Sequence, residues 1–101
     1  MTHRTYKQNR SLHLYCRQLA NALNHSGQYM GILTTDLNAL DIEWTSSSIR
    51  KFMFNRIALA MYEKTSSQLD TKEIQKVYDV LNMNTGEKLG VSLDWPHEEE
   101  Q

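Results

Sequence analysis

His13 and Cys16 stand three residues apart, a spacing that places an imidazole and a thiol on one face of a helix, and both are ligands for zinc. A structural zinc site needs four such groups, and the other histidines, His3, His25 and His97, are scattered with no second pair at ligand spacing. The plain reading is a buried thiol beside a surface histidine, so no metal and no cofactor is expected. Three consecutive carboxylates, Glu98, Glu99 and Glu100, lie in a polar terminal stretch where they stay solvated, whereas acid–base catalysis asks for perturbed groups. The serines at 46–48 and 66–67 suit helix starts and turns. A Gly-rich phosphate loop, a nucleophile elbow and paired histidines on one helical face are all missing, which points away from an enzyme.

Cationic side chains offer more. Residues 1–35 hold Arg4, Lys7, Arg10 and Arg17 and no acid, while residues 65–101 hold eight acids against three lysines, so a net charge of −1 conceals a polar gradient along the chain. Arg4, Lys7, Arg10 and Arg17, with His13 among them, could follow a phosphate backbone, with Arg50 and Arg56 assisting; such binding would weaken with salt. The slightly acidic whole argues against a dedicated nucleic-acid protein, and a solvated helix back is the simpler account. Aromatic and apolar residues that fall off the expected inner faces, Tyr6, Leu14, Tyr62, Met83 and Trp95, form a second candidate surface, suited to a protein partner. They would also serve packing against the connecting or C-terminal segments. One basic and one acidic end allow head-to-tail association of copies.

These residues need elements to carry them, and the periodicity supplies three helices. From about residue 5 to 24, Leu12, Tyr15, Cys16, Leu19 and Leu23 recur at helical spacing, with Lys7, Arg10, His13 and Arg17 opposite. Thr5 and Gln8 have the spacing of a weak capping box, and Gly27 is a suitable stop. Residues 28–44 read as a connection with a short helical turn around 29–33, packed over the core through Met30, Leu33, Leu37, Leu40 and Ile42. Thr45 then caps a second helix, with Trp44 and Ile49 at the spacing of a hydrophobic staple. That helix is apolar over most of its circumference, predicting a central rod on which only the strip at Lys51, Asn55 and Tyr62 meets water. Asp70 and Glu73 form a box for a third helix, stapled by Leu69 and Ile74 and ended by Gly86. The alternation Leu89, Val91, Leu93, Trp95 suggests an extended segment laid along the helices and closed by Pro96. The expected fold is mainly α: a single helical domain over 1–96 with a short extended C-terminal segment, then an acidic tail, 97–101.

At "IEWTSSSIRK", "LDTKEIQKVYDVLNMNTGEKLGV" and, less strongly, "RTYKQNRSLHLYCRQLANALN", the chain resembles a family of short, uncharacterised proteins of tailed bacteriophages, encoded among replication, recombination and host-takeover genes. The resemblance implies a phage-encoded helper in the bacterial cytoplasm and transfers no functional residue. It differs where "TSSS" and "KTSS" replace charged residues common in the relatives. A polar N-terminus, no long apolar run and a lone cysteine agree with a cytoplasmic expectation and with no membrane partner. The functional expectation is a non-enzymatic accessory protein that binds a host or phage protein of DNA metabolism or defence; the alternative is nucleic-acid binding through the basic face of the first helix.

Overall fold

Three helices and a returning C-terminal segment make up the part of the chain that the computed structural model describes, residues 6–28 and 42–96, with only the backbone described at 6–8. The expected Thr5 cap, the helical turn near 29–33, the packing of residues 29–41 and the acidic tail lie outside those residues, and Ile42, expected to pack over the core, is 39% exposed. Helix α1 spans Tyr6–His25 and buries Leu12, Tyr15, Cys16, Leu19, Ala20 and Leu23. Its end is a Schellman turn. Gly27 takes a left-handed φ of 82°, its amide donates to the Asn24 carbonyl (3.1 Å), and the Gln28 amide donates to the Leu23 carbonyl (2.8 Å).

Helix α2 covers 46–62 in three pieces: an α-helical turn Ser46–Ile49, a π-helical segment Arg50–Phe54 and an α-helical run Asn55–Tyr62. Thr45 caps it as the spacing predicts, but the residue completing the box is Ser48. The Ser48 amide donates to Thr45 Oγ1 (3.1 Å) and the Thr45 amide donates to Ser48 Oγ (2.8 Å). Trp44 and Ile49 both sit in the core. The π-helical segment is marked by the Asn55 amide, which donates to the carbonyl of Arg50, five residues back. That wider turn carries one residue more than an α-helical one and rotates everything beyond it.

The exposure of α2 differs from the sequence expectation. Its buried side chains are Ile49, Met53, Phe54 and Ala58, in steps of four and five, whereas Phe52, Leu59 and Met61 are 40%, 49% and 39% exposed. Asn55, expected in water, is half-buried, and its Oδ1 accepts the Ser66 amide (2.7 Å); Tyr62 is half-buried and packs on the core. With α1 and α3 as its helical neighbours among the described residues, α2 is central but uncovered on one side.

A 3-10 turn at Ser66–Gln68 leads to α3, Thr71–Leu89. Asp70 and Glu73 form the reciprocal capping box, and Glu73 also receives Lys64 in an ion pair at 3.0 Å that ties the end of α2 to the start of α3. Contrary to the sequence expectation, Gly86 does not end this helix. It lies inside α3, beneath the returning residues Val91 and Ser92, and the helix continues to a left-handed Gly90 (φ 73°). Carrying a helical glycine costs about 1 kcal/mol relative to alanine, which is small beside the contacts made by the extra turn. Leu89 packs on the core, and its carbonyl accepts a bond from Gln28 Nε2 (2.9 Å).

Beyond Gly90 the chain reverses along α3 without forming a strand. Asn82 Oδ1 accepts the Leu93 amide (2.9 Å), and the Tyr78 hydroxyl donates to the Leu93 carbonyl. This path delivers Trp95 to the helix interface, where its ring lies 5.7 Å from that of Tyr15 and 5.1 Å from that of Tyr78. Trp95 is 8% exposed, so this member of the expected interface set belongs to the core.

Candidate binding groove

The exposed flank of α2 does not stand alone. The second helix returns through the turn at 66–68, so α2 and α3 run antiparallel and the π-helical segment of one lies beside the last turns of the other. Between them opens a groove of about 370 Å3. Phe52, Met53 and Ile57 line it from α2; Leu81 and Leu89 line it from α3.

Polar groups in the groove divide into those already engaged and those not. Thr85 Oγ1 donates to the Asn82 carbonyl (3.1 Å) and Asn84 Nδ2 donates to the Val80 carbonyl (3.1 Å), so these side-chain donors serve their own helix. Arg56 and Lys88 also line the groove, both are exposed, and neither makes an ion pair among the described residues. No acidic side chain is among the described lining residues. The chemistry is an apolar trough with two available cations.

A second recess, of about 300 Å3, lies where α1 meets the start of α2 and is lined by Arg10, His13, Leu14, Arg17 and Ser46. It gathers part of the cationic strip expected from the sequence. Arg56 is in the other groove, and half-buried Arg50 is close enough to Cys16 to act on it electrostatically. Arg4 and the side chain of Lys7 lie outside the described residues, as does the side chain of Tyr6. Of the remaining interface candidates, Leu14 is half-buried, Tyr62 packs on the core, and Met83 is 60% exposed.

Phe52, Leu59 and Lys88 were not singled out by sequence reasoning. A signal existed for the first two: both stand in a helix that is apolar over most of its circumference, more than one core-facing stripe requires.

Cys16 is buried, and burial pushes its thiol from an ordinary value of about 9 up to about 12, with Arg50 opposing the shift. Its neighbour Tyr15 is fully buried, and its hydroxyl has no hydrogen-bond partner among the described residues; burial, and then Cys16 and Tyr78, push its ionisation upward as well. A thiolate is therefore scarce at neutral pH. The folded state holds these protons more tightly than the unfolded chain, so stability is fully present below about pH 9 and declines as the pH rises towards 12. Urea unfolding between pH 7 and pH 10.5 is expected to show this decline, with a shallower slope in Cys16→Ala. Equal slopes in the two proteins would refute the assignment to Cys16.

Among the described residues, no group of three His, Cys, Asp or Glu side chains is placed to hold a metal ion, and no helix is long and apolar enough to cross a membrane. Comparison with protein-family models, curated proteins and solved structures gives no match.

Proposed function

We propose that this chain is a non-enzymatic bacteriophage accessory protein that acts in the host cytoplasm by binding a host or phage protein of DNA metabolism or defence. The phage context rests on the sequence resemblance. The binding mode rests on one observation: the α2–α3 groove presents Phe52 and Ile57 beside two cations without ion-pair partners among the described residues. Apolar and aromatic groups accompanied by arginine are what the centres of protein interfaces favour, and Phe52 is 40% exposed with the Lys51 ammonium 5.5 Å from its ring centre. Tagged protein expressed in phage-infected bacteria is expected to recover a stoichiometric protein partner, and Phe52→Glu to lose it while remaining folded. Recovery of no such partner, or equal recovery by the variant, would sink this reading.

Nucleic-acid binding is the second reading, favoured by the recess that gathers Arg10, His13 and Arg17. Anisotropy with single- and double-stranded oligonucleotides in rising salt tests it. Binding that is lost in Arg10→Ala/Arg17→Ala and is indifferent to Phe52→Glu would select this recess over the groove.

A further inference from the structure

We infer that the α2–α3 groove receives an amphipathic helix of the partner protein whose apolar residues are flanked by carboxylates; this rests on the protein-binding reading above and specifies its chemistry. Four features of the groove lead there. Its lining comes from two helices, Phe52 to Ile57 on one and Leu81 to Leu89 on the other, and a third helix can lay apolar side chains at i, i+3 or i+4 and i+7 between them. Its volume, about 370 Å3, lies in the lower range of binding pockets, which run from roughly 300 to 1,000 Å3 and so suit a few side chains rather than a domain surface.

The charge is one-sided. Arg56 stands on one wall and Lys88 on the other, with no described acid in the lining to neutralise them, so a basic helix would meet two like charges and an acidic one two opposite charges. The fourth feature is the π-helical segment, Arg50–Phe54, which contributes Phe52 and Met53 to the wall. Such segments exchange backbone regularity for the placement of a side chain and recur at functional sites. Here the segment contributes Phe52, 40% exposed, to the lining of the trough.

Two stapled helical peptides of about 14 residues, with identical leucines at i, i+3 and i+7 and either glutamates or lysines beside them, test this by fluorescence anisotropy against the full chain. The glutamate peptide is expected to bind at least about tenfold more tightly than the lysine peptide, with the preference weakening in salt. In Arg56→Glu/Lys88→Glu the preference should reverse, while circular dichroism remains that of the parent; both side chains are exposed, so folding does not depend on them. Amide shifts from Phe52 to Ile57 and from Leu81 to Leu89 on adding the glutamate peptide would locate it.

Equal affinity for the two peptides, a preference unchanged by the double reversal, or shifts confined to α1 would overturn the inference. So would sedimentation showing that a second copy of the chain occupies the groove at micromolar concentration, or an oligonucleotide displacing the glutamate peptide from it. A partner recovered from infected cells together with failure of the glutamate peptide would remove the acidic helix and leave protein binding standing. Failure of both would remove both.

Discussion

Trp95→Ala is expected to lose about 3–4 kcal/mol of folding stability, the cost of emptying a large aromatic site in a core. The residue lies outside every helix, in a segment that the sequence alone assigns to either packing or a partner. Its ring nevertheless joins Tyr15 and Tyr78 in a three-ring cluster, with Tyr15 and Tyr78 edge to face at 5.1 Å and the indole within 5.7 Å of each. Removing it also unfastens the path that holds Leu93 against Asn82 and Tyr78, so the loss is not confined to one side chain. A domain of this length has a total stability of about 5–15 kcal/mol, and the melting temperature should fall by more than about 12 °C. Trp95→Phe keeps a ring in the cluster and should lose less than half as much. Urea unfolding followed by circular dichroism decides the matter. A loss below about 1 kcal/mol in Trp95→Ala would show that the segment after Gly90 is a surface element, and would return Trp95 to the interface set.

What the sequence discloses here is what depends on neighbours a few residues away. Thr45 with Ser48, and Asp70 with Glu73, lie three apart because a helix start needs its first amides satisfied locally, and both starts stand where that chemistry puts them. Gly27 ends α1 for the same kind of reason. Gly86 shows the limit: a glycine is a stop signal only if nothing downstream repays continuing. Here Leu89 on the core and the bond from Gln28, far away in the chain, repay it. The α2 surface escapes for a different reason. Helical periodicity assumes one constant turn angle, and the π-helical segment breaks that assumption at Arg50–Phe54; the apolar run also does not say which side of α2 stays uncovered, and Phe52, Leu59 and Met61 are the ones left exposed. Hence the groove was only half legible. Arg56 stands out in the sequence as a cation among apolar positions, but the presence of Lys88 in the same trough requires the return of α3 alongside α2.

Trp44→Ala is expected to cost about 4 kcal/mol, because this residue combines a buried indole with the junction of all three helices. Trp44 is 2% exposed. Its backbone amide donates to Asn24 Oδ1 (2.7 Å), its carbonyl accepts Asn24 Nδ2 (2.8 Å), and its indole N–H donates to the Gln28 carbonyl (2.8 Å). Gln28 in turn reaches the last carbonyl of α3 through its side-chain amide. The clamp therefore runs from the end of α1, through the residue before the α2 cap, to the end of α3. Truncating the indole leaves the Gln28 carbonyl without that donor and removes Trp44 from its staple with Ile49, so two helix ends far apart in sequence should loosen together. Hydrogen exchange reads this directly. In Trp44→Ala the amides of Gly27 and Gln28, which close α1, and those of Gly90 and Val91, which both donate to the Thr85 carbonyl, should lose protection in concert. Trp44→Phe retains the Asn24 clamp and most of the apolar contact but lacks the indole N–H, and should lose only about 1–2 kcal/mol. Loss of protection restricted to the first turn of α2 would show that Gln28 does not couple the helices. Because Leu89 also lines the groove, a coupled loosening predicts that Trp44→Phe weakens binding in the groove without touching a residue that lines it.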